Sequence, residues 1–202
     1  IREQYPQNLH GFERSLLREY LQFKILQGIF DSRSASKLSF RGETALRIIY
    51  GNNRFSEDID LDNHGLTWEN FIKLIDSTKL FLERDGYQID VSMIERAAYH
   101  CYIRFPRILF ENGISPIHDE KILIRLDSTD QGYDYEPEIK LLNKFDVFTQ
   151  IRVSPLPVLL SQKIFAAVNR NRAKGRDFYD ITFLLGRTKP DYGYLQEKLG
   201  VD

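Results

Sequence analysis

The sequence is poor in the residues that build covalent or soft-metal sites. Cys101 is the single cysteine among 202 residues, which excludes an internal disulfide framework and a cysteine-rich metal site. The four histidines are scattered and lack the paired helical spacing typical of zinc ligands. We therefore assign no catalytic role to the cysteine or to any histidine.

Long apolar runs and a strong net charge are also missing. No apolar segment approaches the length needed to span a membrane, and the N-terminus lacks a signal-peptide pattern, so we expect a cytoplasmic protein with no membrane partner. The formal net charge is −1, which argues against a nucleic-acid-binding surface spread over the whole protein. Hydrophobic residues make up 42% and charged residues 28%, as in a folded domain rather than a disordered chain.

The hydrophobic spacing predicts an α+β or α/β-like protein in which a sheet is flanked by helices. The predicted helices cover about residues 9–30, 44–49, 67–84, 154–170 and 176–186. The predicted strands cover residues 37–40, 58–62, 87–94, 99–105 and 122–127. A linker near 149–157 suggests a core with an N-terminal helix over 1–150, and a C-terminal helical element over 151–202 that completes the site.

Three aspartates alternate with two apolar residues between positions 58 and 62. The strand period of two places Asp58, Asp60 and Asp62 on one face and the apolar residues on the other. Neighbouring carboxylates repel each other unless a cation neutralises them, and Mg²⁺ binds through one or two carboxylates while keeping positions open for phosphates. The pattern indicates a metal platform for nucleotidyl chemistry with Asp58 and Asp60 as ligands. The alternative is an amphipathic edge strand with a solvated acidic face.

Two further features fit such a platform. Asp127 ends a predicted strand on the same face as Arg125, either as a third metal ligand or as a residue that forms a turn with the next two positions. Gly42 precedes a predicted helix capped by Thr44, where the backbone can approach a phosphate closely. An ordinary strand-to-helix turn has the same pattern.

The C-terminal part of the chain supplies the opposite charge. Lys163 lies within an apolar helix stripe with Arg170 on the same side, so it must reach water or meet an anion. Asp177 begins the next predicted helix, where it either favours the helix N-terminus or pairs with Lys163 or an arginine. Six basic residues and no acidic one occur between positions 147 and 176, a tract that could also hold an RNA acceptor.

Four ordered blocks of the sequence resemble the AbiEii/AbiGii toxin family of nucleotidyltransferases. The first two are FRGETALR followed by YG (residues 40–51) and RFSEDID (54–60). The later two are QKIFAA with the following Arg170 (162–170) and RDFYDI (176–181). Together they span about residues 38–185, which is most of the chain.

The resemblance implies a nucleotidyltransferase fold of the polymerase-beta-like superfamily, with a mixed sheet flanked by helices. It also implies a toxin of a toxin–antitoxin or abortive-infection system, with a cognate antitoxin as a partner. The implied reaction is Mg²⁺-dependent transfer of a nucleoside monophosphate from an NTP to an acceptor, which in some members is RNA, notably tRNA.

The resemblance also assigns roles by position. Asp58 and Asp60 become metal ligands, Lys163 a catalytic contact to the nucleotide phosphates, and Asp177 the acidic catalytic residue of the last block. The nucleotide-binding positions are Gly42, Thr44, Ser56, Lys163 and Arg170.

The chain departs from the family pattern at Glu43, where the family has a second small residue. A carboxylate beside a triphosphate is repulsive unless it points away or helps to hold metal. Glu43 therefore supports a different hypothesis, a degenerate nucleotide- or partner-binding module. A transferase that modifies a protein instead of RNA is a further alternative.

Overall fold

The computed structural model, which describes residues 1–170, 172 and 174–200, is organised around a seven-stranded mixed sheet. Its strands are β1 (Leu38–Arg41), β2 (Ile59–Asn63), β3 (Asp90–Glu95), β4 (Tyr99–Phe105), β5 (Ile122–Thr129), β6 (Glu138–Lys144) and β7 (Val147–Val153). They lie in the order β3-β4-β5-β2-β1-β7-β6. The β2–β5 and β1–β7 pairs are parallel, and the remaining neighbours are antiparallel.

Helices flank this sheet, as the sequence predicted. They are α1 (Glu13–Phe30), α2 (Gly42–Ile48), α3 (Trp68–Arg84), α4 (Ile108–Glu111), α5 (Leu156–Asn169), α6 (Gly175–Leu185) and α7 (Tyr192–Leu199). Short 3₁₀ segments cover Arg2–Gln4, Gln7–Leu9 and Arg33–Lys37. Among the described residues, no helix is long and apolar enough to cross a membrane.

The main core lies between one sheet face and helices α1 and α3. Ile59 and Leu61 of β2 are fully buried in it, whereas Asp60 between them is only partly buried. Each buried aliphatic side chain contributes about 1.5–3 kcal/mol. A shift of the β2 register by one residue would lose this contribution, because it would bury the aspartates in place of the apolar pair. The core thus fixes the aspartates on the opposite face.

A second, smaller apolar cluster attaches the C-terminal helices to the sheet. Leu46 of α2 packs there with Leu159 and Leu160 of α5 and with Leu184 of α6. This cluster brings α5 and α6 beside the turn at the start of α2, and therefore beside the aspartates of β2.

The structure differs from the predictions in three places. Helix α2 begins at Gly42, two residues before the expected Thr44 cap. Residues 149–157 are not a linker, because β7 continues to Val153 and α5 begins at Leu156. Strands β6 and β7 and helices α4 and α7 were not predicted. The division into units 1–150 and 151–202 stays a prediction.

The missed hairpin of β6 and β7 has a physical explanation. Val147 and Ile151 are buried, but Phe148 between them is 67% exposed and Leu141 of β6 is 52% exposed. Large apolar side chains on both faces hide the alternation on which strand prediction depends.

Candidate active site

Three carboxylates meet where β2 and β5 run side by side. Asp58 directly precedes β2, Asp60 lies within it, and Asp127 of β5 is the direct neighbour of Asp60 across the pair. Burial raises the pKa of Asp60, and the charge of Asp127 raises it further. Burial also raises the pKa of Asp58, with Asp60 and Asp127 adding to the effect. The neighbouring carboxylates therefore repel one another, as expected at a site that a bound cation would neutralise.

Two of these carboxylates already have cationic or hydrogen-bonding partners. Arg125 contacts Asp58 Oδ2 through Nη2 at 2.8 Å and Asp127 Oδ2 through Nε at 3.1 Å. The Nδ1 of His100, for which the sequence suggested no role, lies 2.7 Å from Asp127 Oδ1. Within the described part of the chain, no group hydrogen-bonds or ion-pairs with the Asp60 carboxylate.

Asp62, the third aspartate of the alternating pattern, has a different environment. It is buried, and its carboxylate accepts hydrogen bonds from the Tyr135 hydroxyl at 2.8 Å and from the Gln131 backbone N–H at 3.1 Å. Its hydrogen bonds are therefore satisfied by the protein itself, which makes it a structural residue rather than a ligand.

The donor set fits a hard divalent cation. Over residues 1–170, 172 and 174–200, no group of three or more His, Cys, Asp or Glu side chains is arranged so that it could hold a metal ion by itself. An unpaired carboxylate at Asp60 beside Asp58 is instead the kind of open, oxygen-only site that Mg²⁺ occupies together with water and substrate phosphates. Asp127 as a third ligand stays a prediction.

The turn before α2 is built against this platform. Gly42 has φ +77°, a left-handed conformation that glycine adopts without strain, and it packs on the Asp60 carboxylate. Thr44 is buried, and its hydroxyl contacts the Ser56 hydroxyl at 2.9 Å and the carbonyl oxygen of Asp58. Thr44 and Ser56 thus fix the segment that leads into β2. Their nucleotide-binding roles stay predictions.

A cluster of cations lies on the other side of the turn, around Glu43. Lys163 Nζ is 3.2 Å from Glu43 Oε1, Arg54 Nη2 is 2.9 Å from Glu43 Oε2, and Arg176 Nε is 3.4 Å from Glu43 Oε1. Burial raises the pKa of Glu43, but Lys163, Arg54 and Arg176 together lower it below its ordinary value. Glu43 is therefore an ionised carboxylate held by three cations, in the way that they would hold a phosphate.

Asp180 anchors two of these cations from beneath. It is fully buried, and its carboxylate lies 2.8 Å from Lys163 Nζ and 2.9 Å from Arg54 Nη2. It also accepts a hydrogen bond from Asn52 at 3.1 Å. Asp180 was not among the predicted site residues, because the dipole at a helix start is an adequate explanation for at least one of the two aspartates of this block. Its place in the RDFYD block, one turn after Asp177, was the available signal.

Asp177 and Arg170 form a separate ion pair. Asp177 is buried and Arg170 is partly exposed, so the pair links the end of α5 to the start of α6. Of the two partners that the sequence allowed for Asp177, the structure brings it to an arginine, and Lys163 pairs with Asp180 instead.

A cavity of about 310 Å³ separates the carboxylate platform from the cation cluster. Most of the predicted site residues line it, namely Gly42, Ser56, Asp58, Asp60, Lys163, Arg170 and Asp177. Thr44 and Asp127 lie outside its lining. Gln162 also lines the cavity, and within the described residues both polar atoms of its buried amide lack a hydrogen-bond partner.

Two solved structures share this fold. JHP933 from Helicobacter pylori is 21% identical, with a TM-score of 0.62 over 87% of this chain and 67% of that chain. A second H. pylori protein, assigned as a nucleotidyltransferase, is 23% identical, with a TM-score of 0.63 over 87% of this chain and 69% of that chain. At this level of identity the likeness establishes the fold alone. No curated protein matches the chain.

The family is established by the sequence itself. The model of the family described as "Nucleotidyl transferase AbiEii toxin, Type IV TA system" matches residues 24–199, which include both sides of the cavity. The chain therefore belongs to the AbiEii family of nucleotidyltransferase toxins from type IV toxin–antitoxin systems.

Proposed function

We propose that this nucleotidyltransferase moves a nucleoside monophosphate from an NTP to an RNA acceptor such as tRNA, that the reaction requires Mg²⁺, and that the transfer is the toxic activity. The observation that carries the proposal is the opposition of charge across one cavity. Asp58 and Asp60 line this cavity together with Lys163, Arg54 and Arg176, which is the combination of charges that a metal–triphosphate substrate needs.

Each wall has a separate task in the proposed reaction. Mg²⁺ held by Asp58 and Asp60 would orient the triphosphate and lower the pKa of the acceptor hydroxyl. Lys163 and Arg54 bind the phosphate oxygens and stabilise the charge that builds up on them. The acceptor hydroxyl gives its proton to water, its oxygen forms a bond to the α-phosphorus, the bond from that phosphorus to the bridging oxygen breaks, and pyrophosphate leaves with the electron pair. Gly42 lets the phosphate chain approach the backbone of the turn.

The triphosphate must displace Glu43 from its cations in this scheme. Glu43 is held by side-chain ion pairs alone, and its own side chain keeps 16% of its surface exposed. A triphosphate carries more charge than one carboxylate, so Lys163, Arg54 and Arg176 favour the exchange. The buried Asp180 remains in place and keeps Lys163 and Arg54 oriented.

The same contacts favour a second candidate function. If Glu43 is not displaced, the cations stay neutralised, and the domain is a nucleotide- or partner-binding module without transfer. The two functions differ in turnover, not in fold.

Labelled transfer separates these functions. Purified protein is incubated with Mg²⁺, each common NTP carrying a radioactive α-phosphate, total tRNA and cell extract, with Asp58→Ala as the blank. Label on RNA that is absent with Asp58→Ala supports the proposal and identifies the nucleotide. Label on protein alone replaces the RNA acceptor by a protein one. A folded protein that labels nothing contradicts transfer and favours the binding module.

A further inference from the structure

In the half of the sheet formed by β3, β4 and β5, helices α1 and α3 pack on one face, and the side chains of the other face are exposed or partly exposed. Cys101, Ile103 and Phe105 of β4 are buried on the core face, toward α1 and α3. The residues between them, including Tyr102 and Arg104, lie on the opposite face and are partly exposed. This open face is continuous with the aspartate platform, because β5 pairs directly with β2.

The chemistry of this open face is aromatic and cationic. The guanidinium of Arg104 lies 5.7 Å from the ring centre of Tyr102 and donates a hydrogen bond to Ser92 Oγ at 2.9 Å. Arg125 is the cross-strand neighbour of Tyr102, and its side chain is 44% exposed. Asp90 lies opposite Arg104 and adds an acidic side chain to this face, apart from the carboxylates of the active site.

Two exposed apolar side chains complete the surface. Ile94 is 39% exposed and Leu123 is 40% exposed, and both lie on the same face as Tyr102 according to the strand register. An aromatic ring with arginine and apolar neighbours is the arrangement on which unpaired bases stack while the arginines contact phosphates.

The open face lies beside the aspartates of the active site, and this position limits which ligand it could bind. Arg125 is the cross-strand neighbour of Tyr102, and its Nη2 lies 2.8 Å from Asp58 Oδ2. Tyr102 in β4 and Asp60 in β2 are two strands and two register positions apart, about 12 Å at the usual strand spacing and rise. A chain lying across the strands from Tyr102 would therefore bring its end to the aspartates, where the acceptor hydroxyl must react.

We propose that this surface, termed the acceptor platform, binds the single-stranded 3′ end of the RNA acceptor, with a terminal base stacked on Tyr102 and the backbone on the arginines. The acceptor platform consists of Ser92, Ile94, Tyr102, Arg104, Leu123 and Arg125. The inference rests on the proposed function, because it takes RNA as the acceptor, and it adds the place and the recognition mode.

Binding of a fluorescent RNA duplex with a single-stranded 3′ overhang, followed by anisotropy, tests the acceptor platform. Tyr102→Ala should weaken binding about tenfold through lost stacking, whereas Tyr102→Phe should retain it. Arg104→Gln should weaken binding and reduce the slope of log affinity against log salt by about 0.7. Phe148→Ala, which removes a more exposed aromatic side chain on the distant strand β7, is the control and should bind as the unaltered protein does.

Transfer assays on the same variants separate the inference from the proposed function. For a correct inference, Tyr102→Ala raises the KM for RNA and leaves the KM for NTP unchanged. The acceptor platform would be overturned if Tyr102→Ala and Arg104→Gln bind RNA and label it as well as Phe148→Ala does. This holds even if RNA transfer itself is established. Overhang binding that depends on Tyr102, without any RNA labelling, would support the platform and contradict the proposed function. An unaltered protein that binds no RNA and labels protein would overturn both.

Discussion

Gly42 lies directly against the Asp60 carboxylate. A Cβ atom added to Gly42 would be 2.3 Å from Oδ2 and 2.9 Å from Cγ of Asp60, closer than atoms can approach without displacement. The same glycine has φ +77°, so this position requires both a left-handed backbone and the absence of a Cβ atom, which only glycine provides. The turn and the metal platform are therefore one unit.

We expect Gly42→Ala to abolish transfer by pushing the Asp60 carboxylate out of place. The positive φ alone costs about 1–2 kcal/mol for a residue with a Cβ. Gly51→Ala is the matched control, because Gly51 has φ +75° with no atom within 4 Å of the added Cβ. Both variants should lose similar conformational stability in urea unfolding, but only Gly42→Ala should lose activity. Equal activity of the two variants would contradict the close packing.

Asp180→Asn should destabilise the protein by about 1–3 kcal/mol, because it removes the buried counter-charge of Lys163 and Arg54 and leaves them paired with Glu43 alone among the described residues. Urea unfolding measures the change in free energy. Glu57→Gln is the control, since Glu57 pairs with Arg18 but is 73% exposed, and surface pairs contribute about 0–1 kcal/mol. Similar small losses for both variants would show that the Asp180 contacts carry little of the stability.

Glu43→Gly removes the carboxylate that occupies the cation cluster. In an active enzyme we expect turnover to stay roughly the same, because the triphosphate already displaces Glu43. In a degenerate module, nucleotide affinity should rise several-fold without turnover. Calorimetric titration with a non-hydrolysable NTP, beside the transfer assay, measures both quantities. Glu57→Gln, which lines the same cavity outside the cluster, controls for a general change of charge. A large loss of turnover in Glu43→Gly would show that Glu43 takes part in the reaction.

The raised pKa values of Asp58 and Asp60 predict a coupling between pH and metal. A carboxyl whose pKa is higher in the folded protein than its ordinary 3.8 binds its proton more tightly when folded. Its stabilising contribution is therefore present at low pH and is lost as the pH rises through the raised pKa. Above that pH, Mg²⁺ should restore the stability by neutralising the carboxylates.

Thermal unfolding with and without Mg²⁺ between about pH 4 and pH 8 checks this coupling. The rise in Tm on adding Mg²⁺ should grow with pH and should shrink in Asp60→Asn. A Mg²⁺ effect that is equal at all pH values, or unchanged in Asp60→Asn, would place the metal elsewhere.

Local patterns predicted the parts of the site that depend on local geometry. The strand period placed Asp58 and Asp60 on one face, and the helix period placed Lys163 and Arg170 on one side, because each pair lies in or directly beside one element. Thr67 begins the predicted helix over 67–84, and in the structure it caps α3, because its side chain accepts a hydrogen bond from the Asn70 backbone N–H at 3.4 Å. The family resemblance then ordered these elements into one fold.

Long-range pairing could not be predicted in the same way. Arg54 and Asp180 are 126 positions apart, and only the packing of α6 beside the turn makes them partners. Arg125 and His100 likewise reach the aspartates only through the order of β4, β5 and β2. The choice among several carboxylates for Lys163 depends on this packing, which no spacing rule encodes.

The central claim is that the aspartates of β2 differ in role, with Asp60 serving the metal and Asp62 the structure. The most direct measurement compares Mg²⁺-dependent NMP transfer by Asp60→Asn and Asp62→Asn, two substitutions of the same chemistry two positions apart in one strand. We predict that Asp60→Asn remains folded and loses transfer, and that Asp62→Asn retains it, because an amide can still hydrogen-bond with Tyr135 and Gln131. Transfer that survives in Asp60→Asn would contradict the account.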